Sequence, residues 1–256
     1  MASFNFAKAL LRWFDLEGRK NLPWQQGITP YRIWISEVML QQTQVATVIP
    51  YFNRFIHQFP TIDKLATAPA DQVLQLWTGL GYYSRARNLH KAARIISHEH
   101  DGVFPDTLDA LIALPGIGRS TAGAILALGF KQRAAILDGN VKRVLARFHG
   151  IDGWPGESQV AAALWQHAEQ HTPTQRVSEY TQAIMDLGAL VCTRTRPDCP
   201  KCPLHKHCTA YQQDTIAACP GKKPRKTLPV RSTQLLMIRN CNGEVLLQRR
   251  PDKGIW

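Results

Sequence analysis

Apolar residues recur at three- and four-residue intervals through the first 220 of 256 positions. Phe4, Phe6, Ala7, Leu10, Leu11 and Phe14 form one helical stripe, ended by Gly18. The spacing predicts a second helix over Tyr31 to Val45 and a third over Tyr51 to Phe59, stopped by Pro60. Asp71 to Trp77 leads into a break at Gly79-Leu80-Gly81. Tyr82 to His100 reads as a long helix carrying Arg85, Arg87, Lys91 and Arg94. Leu108 to Leu114, Ser120 to Leu128, Asn140 to Phe148, Gln159 to Gln170 and Ser178 to Leu190 follow. No strand-like alternation interrupts this stretch, so the expected class is all-α.

The pattern then changes. Residues 189–209 carry four Cys and three Pro with little apolar periodicity. Residues 221–231 hold five basic residues, three Gly or Pro and no acid, which predicts a basic linker. Beyond it, Gln234 to Arg239 and Glu244 to Arg250 flank Asn242-Gly243, a hairpin signal. An isolated hairpin is marginally stable. Residues 232–256 are therefore expected to open a second, incomplete domain behind a helical domain over 1–220.

Composition narrows the partner. Apolar residues make up 45% of the chain, which excludes a disordered tail. The longest apolar run, Thr121 to Phe130, falls far short of a membrane span. The first twenty residues contain Asp15 and Glu17 and no compact apolar core of a signal peptide. Thirty-one Lys and Arg against nineteen Asp and Glu leave a formal charge of +12. Such an excess implies a polyanionic partner, and seven Trp argue for a folded body rather than a basic tail. Nucleic acid is the favoured partner, against a soluble protein with scattered Lys.

Three groups of residues carry candidate chemistry. Cys192, Cys199, Cys202 and Cys208 follow the pattern C-x6-C-x2-C-x5-C, while Cys219 and Cys241 lie outside it. Disulfides lack support, since nothing suggests an oxidising compartment. Structural zinc is a rival, but zinc sites usually show two close pairs. The irregular loop suits an iron–sulfur cluster of structural role. Next, Leu114-Pro115-Gly116-Ile117-Gly118-Arg119-Ser120-Thr121-Ala122 joins two predicted helices. Pro115 stops the first; Gly116 and Gly118 allow a tight turn and close approach of backbone N–H groups to an anion. The following helix begins there with its positive dipole end. This is a helix–hairpin–helix signature, which reads a phosphodiester backbone without specifying sequence. Finally, two acids sit in unusual settings. Asp138 opens the helix after Ala134 to Leu137, where the dipole favours a carboxylate. Glu37 lies within Trp34-Ile35-Ser36-Glu37-Val38-Met39-Leu40, where desolvation raises its pKa and suits a general acid. One anionic and one protonated acid would make a glycosidic cleavage pair, although their proximity does not follow from the sequence.

Taken together, the hairpin at 114–122, Asp138 eighteen residues beyond Ser120, and the cysteine loop resemble the endonuclease III superfamily of DNA glycosylases. Ser36-Glu37-Val38-Met39-Leu40-Gln41-Gln42-Thr43-Gln44, Gly79-Leu80-Gly81-Tyr82-Tyr83 and Leu137-Asp138-Gly139-Asn140-Val141-Lys142-Arg143 narrow the resemblance to the MutY-type adenine DNA glycosylases. The resemblance implies an all-α helix–hairpin–helix glycosylase fold with a helical module over about 22–133. A second module, from 1–21 and 134–220, would hold a 4Fe–4S cluster on the four clustered Cys. It implies a monofunctional enzyme that hydrolyses the glycosidic bond of adenine mispaired with 8-oxoguanine or guanine in double-stranded DNA. The segment 232–256 would begin an α+β MutT-like domain that aids recognition of 8-oxoguanine.

Residue roles follow from the same resemblance. Glu37 would protonate adenine N7, Asp138 would stabilise the cationic sugar, and Asn140 would support Asp138. Gln41, Gln42 and Tyr82 would enter the base stack while adenine is extruded. Arg19 and Gln182 would line the adenine pocket, and Gly116 and Gly118 would face the backbone. Ser120 stands where strand-cleaving relatives carry a Lys nucleophile, so attack by water is expected. Lys142 would trap the opened sugar only as a side reaction. A cytoplasmic monomer is expected, at the nucleoid if the source is bacterial, with no membrane partner.

Overall fold

The computed structural model describes residues 4–224, 230, 232, 234 and 236–247. Twelve α-helices are present among them: α1 Phe6–Glu17, α2 Pro30–Leu40, α3 Val45–Gln58, α4 Ile62–Ala66, α5 Ala70–Trp77, α6 Ser84–Glu99, α7 Leu108–Ala113, α8 Arg119–Ala124, α9 Gly139–His149, α10 Ser158–His171, α11 Val177–Asp186 and α12 Thr209–Gln212. Wider π turns, Ile125–Gly129 and Leu187–Val191, extend α8 and α11. The described residues contain no strand, only an isolated bridge between Arg239 and Val245. The class is all-α.

The chain forms two units, Met1–Lys223 and Pro224–Trp256. In the second, Asn240 N–H bonds Glu244 O at 3.1 Å and Leu246 N–H bonds Ile238 O at 3.0 Å across a turn in which Gly243 has φ +84°. Much of the expected linker, Leu235 in the first expected strand, and residues 248–256, which include the end of the second, lie outside the described residues.

Helix α2 is central to the first unit. Thr29 caps it by accepting from Arg32 N–H, and Pro30 occupies its first turn. Ile33, Trp34, Ile35, Val38 and Met39 are all buried. Each such side chain contributes about 1.5–3 kcal/mol on burial, so packing rather than intrinsic propensity sets the helix in place. It packs against α3, α6, α8 and the Ile125–Gly129 turn. Elsewhere α6 covers α4 and α5, α1 lies on α11, and α9 packs on α10, α11, α12 and the Leu187–Val191 turn.

One expected boundary is wrong in an informative way. The second helix does not run to Val45, and the third does not begin at Tyr51. α2 ends at Leu40, residues 41–44 form a turn, and α3 starts at Val45 and continues through Pro50. The stripe Val48, Phe52 and Phe55 is buried along α3, and its packing outweighs the hydrogen bond lost at Pro50. The break frees Gln41 and Gln42 from helical geometry.

Candidate active site

An open cleft of about 590 Å³ lies between α2, the start of α8, the start of α9 and the end of α11. Arg19, Trp24, Glu37, Gln41, Ser120, Asp138, Asn140 and Gln182 line it. Glu37 and Asp138, far apart in the chain, thus line one cleft.

Glu37 is the one acid, and the one half-buried member, of an otherwise buried run from Ile33 to Met39. Its side chain has little solvent to stabilise a charge, and Asp138 is nearby. Burial first, and the neighbouring carboxylate second, push its pKa up to about 8. At neutral pH Glu37 holds its proton.

Asp138 caps α9: its Oδ1 accepts from Val141 N–H at 2.8 Å. Burial pushes its pKa above the ordinary value, so the helix start alone does not decide its state. Opposing burial are the N–H groups of Val141 and Asn140 and the cations Arg143 and Lys142. Glu37 has no such helpers, and this asymmetry makes Asp138 the stronger acid. The Asp138 segment is tied to the hairpin, because Leu137 N–H donates to Ser120 Oγ at 3.0 Å. Asn140 Oδ1 accepts from Arg143, which also donates to Gly188 O at 2.6 Å and Cys192 O at 2.7 Å. Gly188 permits that approach; a Cβ there would lie 2.6 Å from Asn140 Cβ.

Arg19 and Gln182 reach the cleft through a residue that sequence reasoning missed. Asp186, at the end of α11, is fully buried. Its Oδ1 accepts from Arg19 Nη2 at 2.6 Å, Arg19 Nε at 3.0 Å and Gln182 Nε2 at 2.8 Å, and its Oδ2 accepts Arg19 N–H at 2.8 Å. The available signal was the one that flagged Glu37, an acid inside an apolar run, here Ala183 to Leu187.

Gln42 and Tyr82 do not enter the cleft. Both are exposed at loop tips with left-handed backbones, φ +59° and +49°, a conformation costing about 1–3 kcal/mol for a non-glycine residue. Arg85, also missed, holds both loops. Buried at the start of α6, it donates to Val38 O, Met39 O and Gln41 O at 2.7–2.9 Å, and to Leu80 O and Gly81 O at 3.2 Å. It therefore caps α2 and pins the Gly79–Tyr82 turn with one guanidinium. The hairpin lies beside it: Val38, Gln41, Arg85, Asn88, Pro115 and Gly116 line one small cleft. Gly116 needs its glycine, with φ +80° and Asn88 Cβ only 2.9 Å from a would-be Cβ. Gly118 does not serve the tight turn as expected, since its φ is −92°. A Cβ there would meet nothing within 4 Å. Lys142 lies one turn past Asp138 and outside the cleft lining.

The four clustered cysteines line a second, apolar-walled cavity with Val144, Leu187, Val191 and Leu204. All six cysteines are free. Arg147 is buried beside them and donates to Thr193 O, Arg194 O, Cys219 O and Cys192 Sγ. Its hydrogen-bond partners include no carboxylate.

Comparisons with known proteins agree on a family. The profile described as "HhH-GPD superfamily base excision DNA repair protein" matches residues 35–170. The adenine DNA glycosylase of Buchnera aphidicola subsp. Baizongia pistaciae is 43% identical over 256 residues, covering all of this chain and 72% of that protein. The adenine DNA glycosylase of Homo sapiens is 44% identical over 217 residues, covering 81% of this chain and 40% of that one. Among solved structures, a thermostable thymine-DNA glycosylase matches with TM-score 0.73 and 28% identity, over 81% of this chain and 95% of its own. A non-covalent endonuclease III–DNA complex matches with TM-score 0.68 and 23% identity, over 81% and 94%, a likeness of fold.

Two measurements check the site. If the Glu37 proton is used in the reaction, single-turnover rates should fall as pH rises through about 8, where Glu37 loses it. Glu37→Gln should erase that alkaline limb along with most of the rate. A flat profile between neutral pH and 9 would remove Glu37 as the acid. Asp186→Ala should cost about 3–5 kcal/mol in denaturant unfolding, since it leaves Arg19 without its buried partner. A loss below about 1 kcal/mol, the range of exposed pairs, would show that the pair is not a buried one.

Proposed function

Because this chain belongs to the HhH-GPD superfamily and is an adenine DNA glycosylase of the MutY type, acting on DNA in base excision repair, we propose that it removes adenine mispaired with 8-oxoguanine or guanine. The observation that carries the reading is the acid pair: two carboxyls in one cleft, both raised by burial, of which Asp138 alone has N–H groups and cations to offset that burial and is the stronger acid.

Adenine leaves poorly as an anion. Glu37 donates its proton to N7, so the base departs neutral, a contribution of about 10²–10⁴ in rate. Positive charge then grows on the sugar. Asp138, held by the first turn of α9 and supported through Asn140, stabilises it in a site with little water. Arg19 and Gln182 hold the extruded base. Gln41, Gln42 and Tyr82 fill the space it vacates, on loops that Arg85 keeps rigid before DNA arrives. Gly116 and the open position at Gly118 let the hairpin backbone approach phosphates. Ser120 has no amine, so water opens the glycosidic bond and the sugar remains as an abasic site. Outside the cleft lining, Lys142 traps the sugar slowly at most.

The four clustered cysteines fit a 4Fe–4S cluster. Their spacing is irregular, they share one apolar-walled cavity, and the hydrogen-bond partners of the buried Arg147 beside them include no carboxylate. A thiolate-ligated cluster would supply the compensating negative charge. Its role would be structural: Cys192, Cys199, Cys202 and Cys208 would hold it and so fix residues 192–208, whose link to Asn140 runs through Arg143. Residues 1–220 form the catalytic part, with modules over about 22–133 and over 1–21 with 134–220. Residues 221–231 act as a linker, and 232–256 begin a MutT-like domain that reads 8-oxoguanine.

The test is single-turnover excision on a duplex with adenine opposite 8-oxoguanine. Asp138→Asn keeps the shape, loses the charge, and should slow excision by about 10²–10³ while leaving mispair binding intact. The unmodified enzyme should nick strands mainly after alkali. Nicking as fast as adenine release would overturn the water mechanism. For the cysteines, iron and acid-labile sulfide analysis should give both in equal amounts; zinc without sulfide would refute the cluster.

A further inference from the structure

A second cluster of chemically capable side chains lies outside the catalytic cleft and the cysteine cavity. His149 ends α9, and His167 and His171 lie four residues apart on α10, on one face of that helix. One nitrogen from each falls within 4.8 Å of the other two. His149 Nε2 and His171 Nε2 are 2.8 Å apart and share a hydrogen bond. The His167 ring stacks on that of His149, with centroids 3.6 Å apart and planes at 15°. Phe6 lies flat on His171 at 4.1 Å, which limits how that ring turns.

The surroundings keep His149 and His171 neutral and leave part of the cluster unsatisfied. Burial, then the neighbouring histidines, push the pKa values of His149 and His171 down to about 4. His167 Nδ1 is buried with no hydrogen-bond partner among the described residues. The closest acid along α10, Glu169, is engaged by Arg119 and Arg133 rather than by the histidines. Three imidazoles with no carboxylate suit a borderline transition-metal ion and not calcium or magnesium, which require oxygen. Two ligands one turn apart on a helix, plus a third from a neighbouring helix, is a spacing that zinc sites use.

We propose that His149, His167 and His171 bind a divalent zinc-class ion that clamps the end of α9 to α10. Water completes the tetrahedron. Ligand nitrogens around tetrahedral zinc lie about 3.3 Å apart for bonds of about 2.0–2.1 Å, so the 2.8 Å His149–His171 contact opens and the near-parallel rings turn to aim their lone pairs at one ion. The ion replaces the hydrogen bond between His149 and His171. The ring that donated the Nε2 proton becomes its Nδ1–H tautomer, and no net proton is released at neutral pH. The clamp acts on the helix whose first residues follow Asp138, yet none of its ligands lines the cleft, so it is structural and not catalytic.

The test uses the full chain as isolated, freed of loose metal by a chelator, and titrated with zinc by calorimetry. One equivalent should bind, and zinc-edge X-ray absorption should show nitrogen and oxygen neighbours without sulfur. His167→Gln and His171→Gln should each weaken binding at least about tenfold. A sulfur shell would place the ion in the cysteine loop and overturn the proposal. So would failure to bind, or affinity unchanged within twofold in both variants. The absorption measurement needs no variant, so it decides the matter even if a substitution disturbs folding.

Discussion

The site depends on how α2 is held. Its apolar faces are buried against α3, α6, α8 and the Ile125–Gly129 turn, and this packing leaves Glu37 to face the cleft. A helix so tightly surrounded cannot rotate to put Glu37 in water without exposing Trp34 or Ile35. The carboxyl must therefore stay where its charge is costly. Across the cleft, Asp138 meets the opposite arrangement: equal burial, but with a helix N-terminus and two cations to offset it. The difference between the two acids arises from placement on secondary structure and not from residue type.

Two buried arginines, the half-buried Arg143 and one buried aspartate transmit this order outward. Arg85 fixes the end of α2 and the Gly79–Tyr82 turn together, so the two loops bearing Gln42 and Tyr82 share one anchor. Arg143 joins Asn140 to Cys192, and Arg147 continues from there into the cysteine loop. Asp186 gathers Arg19 and Gln182. Removing any one of them strands several buried acceptors or a charge, which costs more than a surface contact would. The cysteine loop is thus mechanically linked to the catalytic side without touching the cleft.

Local features were legible before the fold was known. The acid inside α2's apolar run, the cap at Asp138 and the hairpin glycines are signals within a few residues of themselves. Long-range features were not. The meeting of Glu37 with Asp138, and Arg85's reach back to Val38, depend on helix packing that periodicity does not encode. The break at 41–44 was hidden because apolar residues keep helical spacing on both sides of it. Gly118 was misread because a glycine kept for open space looks, in sequence, like one kept for a positive φ. His167 and His171 form a visible i, i+4 pair, but His149 joins them only once α9 lies on α10.

The claim that most of this account rests on is that Glu37 is protonated at neutral pH while sharing a cleft with Asp138. Carbon-13 NMR of the protein labelled at glutamate side-chain carboxyls reads that proton directly. The account predicts one glutamate resonance titrating near pH 8, absent in Glu37→Gln and shifted to lower pH in Asp138→Asn, where the neighbouring charge is gone. If every glutamate carboxyl titrates in the ordinary range near 4.5, Glu37 is ionised at neutral pH and the acid–carboxylate division between the two residues is wrong.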